Sequence, residues 1–158
     1  MKLLKEIYPY LIAILIVVLI RSFIITPVKV SGQSMYPTFE GSEILLLNKL
    51  SDIDRYDVVV LKRASNSDHL IKRVYGLPGE NIKVKDNKVY IDGKAIADDY
   101  GYGVTNDFAE VKLGKDEYFV LGDNRIISLD SRSIGAVKKD NISGRIIYSI
   151  FPFGSIKG

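Results

Sequence analysis

A long apolar stretch near the amino terminus constrains the fold of this 158-residue chain more than any other feature. Residues 7–25 place 16 hydrophobic side chains in 19 positions. As an α-helix this segment would be about 28 Å long, close to the roughly 30 Å hydrocarbon thickness of a bilayer. Arg21 lies near its end, where a long cationic side chain reaches the headgroups at less than the mid-bilayer cost. We therefore expect one transmembrane anchor at residues 7–25.

Two other readings of this segment are open. A cleaved signal peptide would use Lys2 and Lys5 as its basic region, but residues 21–27 offer no small-x-small cleavage site. A buried helix of a soluble protein would have a polar face, and residues 11–20 have none. The two lysines also favour a cytoplasmic tail at residues 1–6, with a body at residues 26–158 outside the cell.

The body is almost neutral, with 19 basic and 18 acidic residues from Thr26 onward. It lacks the basic patch of a nucleic-acid-binding protein, so no nucleic-acid partner is expected. The chain has no cysteine and one histidine. This composition excludes disulfide scaffolds, thiol catalysis and multi-histidine metal sites. We expect neither a metal nor a cofactor.

Short apolar segments separated by Gly, Asn and Asp follow Pro27, and this punctuation predicts β-structure. Asp86 and Asn87 form a predicted hairpin turn, and residues 98–107 a predicted exposed loop. The fold class is therefore mostly β, with antiparallel strands in a half-open barrel preceded by the anchor helix. The predicted strands are residues 28–31, 43–48, 57–62, 69–75, 82–85, 88–91, 118–121 and 144–150.

A lysine is the first candidate for chemistry. Strand alternation places Lys72 on one face with Leu70 and Val74, opposite Ile71 and Arg73. In apolar surroundings the pKa of a lysine falls from about 10.4, and a neutral amine can act as a general base. Alternatively, Lys72 reaches solvent as most lysines do.

Two further segments carry candidate groups. Residues 30–38 hold Ser34 on a turn containing Gly32, which can present both a nucleophilic hydroxyl and an N–H to a cleft. Residues 122–135 contain Ser128 and two acid–base pairs spaced by two, which can form bidentate ion pairs that fix a loop. Those pairs are Asp123 with Arg125 and Asp130 with Arg132. Each segment alone also suits an ordinary turn or a solvated loop.

Together, and in this order, the segments closely resemble the type I signal peptidases, membrane-bound serine proteases with a Ser-Lys dyad. Ser-Gly-Gln-Ser-Met-Tyr-Pro-Thr (31–38) resembles the nucleophile box, and Lys-Arg-Val-Tyr-Gly-Leu-Pro-Gly-Glu (72–80) the lysine box. Gly-Asp-Asn-Arg-x-x-Ser-x-Asp-Ser-Arg (122–132) resembles the carboxy-terminal box, and residues 55–61 the strand between the first two. The compact chain is most similar to the short Gram-positive form.

The resemblance implies that Ser34 is the nucleophile, that Lys72 is the general base and that Ser128 orients the lysine by a hydrogen bond. It implies that Asp123, Arg125, Asp130 and Arg132 support the loop through ion pairs. The implied activity is removal of signal peptides from secretory precursors after small residues, on the outer face of a bacterial membrane. The expected partners are those precursors and the lipid bilayer, and a monomer is favoured.

The chain departs from the family pattern at two places. Gly32 stands where some relatives carry a serine that donates to the oxyanion, which leaves a backbone N–H as candidate for the second donor. Ile126 and Ile127 stand where many relatives carry polar residues.

The sequence disfavours three other functions. A Ser-His-Asp triad with His69 and Asp68 is disfavoured, because adjacency on a strand does not orient the two groups and alternation places His69 opposite Lys72. A tethered β module without activity is disfavoured by the presence of both dyad residues. A self-cleaving repressor of the SOS type would carry a DNA-binding domain, and the sequence has none.

Overall fold

The amino-terminal apolar segment forms a helix in the computed structural model, which describes residues 2–62 and 69–156. Helix α1 spans Lys2–Phe23, and its part Glu6–Phe23 is long and apolar enough to cross a membrane. None of that part is buried against the body. The helix ends two residues before the end of the predicted anchor at residue 25, and Ile25 pairs with Asn48 in the first strand.

The described part of the body consists mostly of antiparallel strands, as the sequence predicts, together with a short α-helix and a 3-10 turn at Lys139–Asn141 that it did not predict. In chain order the described strands and second helix are β1 (Ile25–Lys29), β2 (Ile44–Asn48), β3 (Val58–Leu61), β4 (Leu70–Gly76), β5 (Asn81–Lys85), β6 (Lys88–Ile91), β7 (Lys94–Ala95), β8 (Phe108–Lys112), β9 (Glu117–Leu121), α2 (Ser131–Ile134), β10 (Val137–Lys138), β11 (Ile142–Phe151) and β12 (Gly154–Ser155). The larger sheet has the order β1-β2-β11-β3-β4-β9-β10, with β12 paired to β11. A smaller sheet has the order β7-β6-β5-β8.

Every predicted strand overlaps an observed one, and four strands were not predicted. The hairpin turn between β5 and β6 is confirmed: Asp86 and Asn87 both have positive φ, 50° and 61°, as a type I′ turn requires. The unpredicted strands are β7, β8, β10 and β12.

Strand β4 is buried on both of its faces. Ile71 packs in a core cluster with Met35, while Val74 packs in a second cluster with Val59. Strand alternation explains this division, since neighbouring side chains point to opposite faces. A polar side chain in the middle of β4 is therefore enclosed by protein.

The prediction of an exposed loop at residues 98–107 is correct only in part. Most of its side chains are exposed, but Thr105 is buried and Asp98 is half-buried. Tyr102 forms a parallel bridge with Asn124, in the loop that follows β9. The segment is thus fixed against the carboxy-terminal loop, which the sequence pattern did not indicate.

Candidate active site

The candidate nucleophile lies on a tight turn that follows β1. Within this turn the Tyr36 N–H donates to the Gln33 carbonyl and the Phe39 N–H donates to the Met35 carbonyl. The Met35 and Phe39 side chains are buried in the core cluster of Ile71 and so anchor the turn. Ser34 itself is half-exposed. Its side chain therefore faces the protein and stays accessible.

Glu43 stabilises the carboxy-terminal end of the same turn. Its buried carboxylate accepts hydrogen bonds from the backbone N–H groups of Glu40, Gly41 and Ser42, at 2.6–2.9 Å. Burial alone would raise the pKa of Glu43, but these N–H groups outweigh it and hold the pKa below its ordinary value. The carboxylate therefore stays charged and keeps the chain after Ser34 in one conformation.

Lys72 reaches Ser34 from the middle of β4. Its Nζ lies 2.7 Å from the Ser34 Oγ and donates a second hydrogen bond to the Ile71 carbonyl at 2.8 Å. Only 1% of Lys72 is exposed, so the alternative that this side chain reaches solvent is wrong. Burial lowers the pKa of Lys72 to about 8, although the charges of Asp130 and Asp123 oppose the shift. A substantial fraction of this amine is thus neutral near pH 8.

The Ser34 N–H is available to a ligand. Among the hydrogen bonds of residues 2–62 and 69–156, it donates to no acceptor. The neighbouring Gly32 has a φ of 84°. The turn therefore offers a hydroxyl and an unused N–H on the same residue, which is the arrangement that acyl transfer uses at the nucleophile.

Ser128 lies at the site but, in the described part of the chain, makes no hydrogen bond to Lys72 of the kind that the resemblance implies. Its Oγ is buried and lies close to the Asp130 carboxylate, whose pKa it helps to lower. The hydroxyl packs against Gly122 instead: a β-carbon at Gly122 would lie 2.0 Å from the Ser128 Oγ and 2.6 Å from the Ser34 carbonyl oxygen. The predicted hydrogen bond is absent, and the orienting role of Ser128 stays a prediction.

Asp130 and Arg132 form the predicted bidentate pair. The Arg132 Nε and Nη2 each donate to one carboxylate oxygen at 2.9 Å. The Gly122 N–H also donates to Asp130, at 3.0 Å. Burial raises the pKa of Asp130, but Arg132 and this N–H overcome the effect and leave it lowered. Asp130 therefore holds the end of β9 and the start of α2 together.

Asp123 and Arg125 do not pair with each other, although their spacing suggested it. Asp123 accepts two hydrogen bonds from Arg73, at 2.9 and 2.7 Å, and both side chains are fully buried. Arg125 pairs with Asp98 at 2.6 Å. Each of the two side chains finds its partner elsewhere in the chain: Asp123 pairs with a residue of β4, and Arg125 with a residue of the segment 98–107. Both still tie the loop to its surroundings, by contacts that the spacing did not predict.

Four residues of the site were missed by sequence reasoning. Arg73 is central among them: it also donates to the Tyr56 carbonyl and to the Thr38 Oγ1, and the Tyr100 ring covers it with its centroid 3.8 Å from the Arg73 Cζ. The sequence indicates Arg73 only through its position next to Lys72 in the lysine box. Thr38 is the last residue of the nucleophile box, whereas Asp98 and Tyr100 carry no signal in the sequence, since their partners lie far along the chain.

His69 is exposed at the start of β4. No hydrogen bond or ion pair joins it to a described residue. His69 is therefore a surface residue. Its hypothetical triad partner, Asp68, lies outside the described residues.

Similarity to known proteins identifies the family of this chain. A family model described as "Signal peptidase, peptidase S26" matches residues 3–151. The chain belongs to this signal peptidase family. It is accordingly a serine peptidase of the type I signal peptidases, whose substrates are secretory precursors that lose their signal peptides.

Similar proteins cover most of the chain. Signal peptidase I T of Bacillus subtilis is 38% identical over 162 residues, covering 92% of this chain and 84% of the relative. Signal peptidase I V of the same species is 40% identical over 156 residues, covering 85% and 91%. The crystal structure of a signal peptidase I from Enterococcus faecalis has a TM-score of 0.54 at 31% identity, covering 60% of this chain and 97% of that one. The resemblance and the mostly β fold are thus confirmed.

Proposed function

We propose that this signal peptidase cleaves precursors by acyl transfer, with Ser34 as nucleophile and Lys72 as general base. The observation that carries the proposal is the 2.7 Å separation of the Lys72 Nζ and the Ser34 Oγ at a lysine with 1% exposure. Desolvation makes the neutral amine accessible near pH 8, and a neutral amine at hydrogen-bond distance can take the hydroxyl proton.

The reaction proceeds in two balanced steps. The Ser34 proton passes to neutral Lys72 while the Oγ bonds to the substrate carbonyl carbon, and the Ser34 N–H donates to the oxyanion. The carbon–nitrogen bond then breaks, and the Lys72 ammonium gives its proton to the leaving amine. In the second step water attacks the acyl ester, Lys72 accepts a proton from that water and returns it to the Ser34 oxygen, and the carboxylate product leaves.

The free edge of β4 suits an extended substrate. Leu70, Ile71 and Lys72 pair with β3 on one side. On the other side β9 begins to pair only at Arg73, and no described strand lies beside the three earlier residues. A substrate segment can add here as a strand that ends beside Lys72, with its main chain supplying affinity. Cleavage after small residues, as the family resemblance implies, is part of the proposal.

The helix α1 is proposed as a single membrane anchor that keeps the site near the outer face of a bacterial membrane. Ser34 lies eleven positions beyond the end of α1 at Phe23, so the site lies at most about 40 Å along the chain from it. The junction is also fixed: the Lys49 Nζ donates to the Ser22 carbonyl at 2.7 Å, and the Thr26 Oγ1 donates to the Arg21 carbonyl at 2.9 Å. A precursor that is tethered to the membrane by its own apolar segment would reach the active site at this distance from the membrane.

The test of the dyad is cleavage of a secretory precursor by the purified full-length chain in vesicles. Ser34→Ala and Lys72→Met should each lower kcat/KM by a factor of about 100 or more, since each removes one participant in proton transfer. The control is His69→Ala, which changes an exposed residue of the same strand region. Undiminished cleavage by either dyad variant would refute the assignment.

A further inference from the structure

Four exposed apolar side chains beside the nucleophile have no part in the mechanism above. The Tyr36 and Tyr102 rings meet edge to face with centroids 5.1 Å apart, and both are exposed to solvent on their outer sides. A β-carbon at Gly103 would lie 2.6 Å from the Ile126 Cγ1, so Ile126 packs directly on that glycine. Val104 follows Gly103 and is also exposed. We call Tyr36, Tyr102, Val104 and Ile126 the apolar rim.

The apolar rim is held in place by backbone hydrogen bonds to the loop after β9. The Tyr102 N–H donates to the Asp123 carbonyl at 2.7 Å, and the Arg125 N–H donates to the Tyr102 carbonyl at 3.0 Å. The same loop reaches the nucleophile, because the Asn124 N–H donates to the Ser34 carbonyl at 3.0 Å. The rim and Ser34 are therefore parts of one fixed surface.

The edge of β4 determines which part of a substrate meets this surface. An added strand can lie beside Leu70–Lys72, but from Arg73 onward β9 occupies that edge. The substrate residues before the cleaved bond can pair with the free edge of β4. Because the cleaved bond lies beside Lys72 and the residues before it lie beside Leu70 and Ile71, the added strand runs parallel to β4. The residues after the bond then reach the position where β9 pairs with Arg73, and they are directed over the loop that follows β9, where the rim lies. Substrate on the rim is thus continuous with substrate on the free edge.

We infer that the apolar rim binds an apolar or aromatic side chain among the first few substrate residues after the cleaved bond. The inference rests on the proposed function and adds a specificity determinant to it. Its occupant is the leaving segment of the polypeptide substrate. Ile126 and its neighbour Ile127 are the residues noted above as departures from the polar pattern of relatives, and the inference gives the first of them a role.

The experiment compares two peptides that differ only in the leaving segment. Both have the same residues up to the cleaved bond, and one has Leu and the other Ser at the second and third positions after it. The full-length chain in detergent micelles should cleave the Leu peptide with about fivefold higher kcat/KM, because the half-open rim buries only part of each side chain. The double variant V104S/I126S should bring this ratio to about one.

The matched control is Ile134→Ser, which makes the same change at another half-exposed isoleucine, on α2. It should keep the fivefold ratio, and all three proteins should cleave the Ser peptide equally. A ratio near one in the wild-type chain, or a ratio unchanged in the double variant, would overturn the inference. The inference would also be overturned if V104S/I126S lost kcat/KM by the same factor on both peptides, and only in phosphatidylglycerol vesicles, not in micelles. That result would make the rim a lipid contact. Failure of the wild-type chain to cleave either peptide would count against the proposed function instead.

Discussion

Gly122 lies directly against Ser34: a β-carbon on Gly122 would come within 2.6 Å of the Ser34 carbonyl oxygen. The same position would be 2.0 Å from the Ser128 Oγ. The first residue of the loop after β9 is therefore in contact with the turn that carries the nucleophile. Glycine is required there by the close approach of two chain segments rather than by a left-handed conformation.

The first prediction concerns Gly122→Ala. The added methyl group must displace backbone at Ser34, so we expect kcat/KM to fall by at least about 100-fold, as small misplacements at reacting centres do. The control is Gly154→Ala, where a β-carbon meets nothing within 4 Å. Peptide cleavage by the two purified variants checks this. A Gly122→Ala enzyme with wild-type kcat/KM would show that the contact is unimportant.

The second prediction concerns the buried pair of Arg73 and Asp123. Asp123→Ala leaves the Arg73 charge enclosed without its carboxylate, and we expect the free energy of unfolding to fall by about 3–5 kcal/mol. Glu110→Ala is the control, because Glu110 faces Lys83 at 4.0 Å in an exposed pair and should cost less than about 1 kcal/mol. Urea denaturation measures both. If both variants lost the same small amount of unfolding free energy, burial would not strengthen the Arg73–Asp123 pair as we expect.

The third prediction concerns the cost of burying Lys72. Its pKa in the folded chain is about 8, below the ordinary 10.5, so the unfolded chain binds the proton more readily between these values. Lys72 therefore destabilises the fold fully below pH 8, and the penalty fades as the pH rises from 8 to 10.5. Lys72→Met should be more stable than the wild-type chain at pH 7.

The stability difference between Lys72→Met and the wild-type chain should shrink as the pH approaches 10.5. Denaturation of both proteins across this range isolates the lysine, since all other titrating groups are shared. A difference that stays constant with pH would mean that Lys72 titrates alike in the folded and unfolded chains.

Much of the fold was predictable because its signals are local. Helix α1 and eight of the strands follow from apolar runs and turn residues, and Asp86 and Asn87 identify a hairpin. Strands β7, β10 and β12 are two residues each, too short to leave a pattern. β8 (Phe108–Lys112) has no fully buried side chain, so it lacks the apolar run that marks the other strands.

The site was predictable only through the motifs. Ser34 and Lys72 are 38 positions apart, and no local rule joins them. The partners of Asp123 and Arg125 were predicted wrongly because spacing within a loop says nothing of what packs on it from elsewhere. Asp123 pairs instead with Arg73 on β4, and Arg125 pairs with Asp98 in the segment at residues 98–107.

The most direct test of the Ser34–Lys72 dyad is the pH dependence of kcat/KM for peptide cleavage by the full-length chain. Since the base must be neutral, kcat/KM should rise about tenfold per pH unit below 8 and level off above it. His69→Ala should give the same curve. A rise centred between pH 6 and 7 that disappears in His69→Ala would contradict the lysine mechanism and assign the base to histidine.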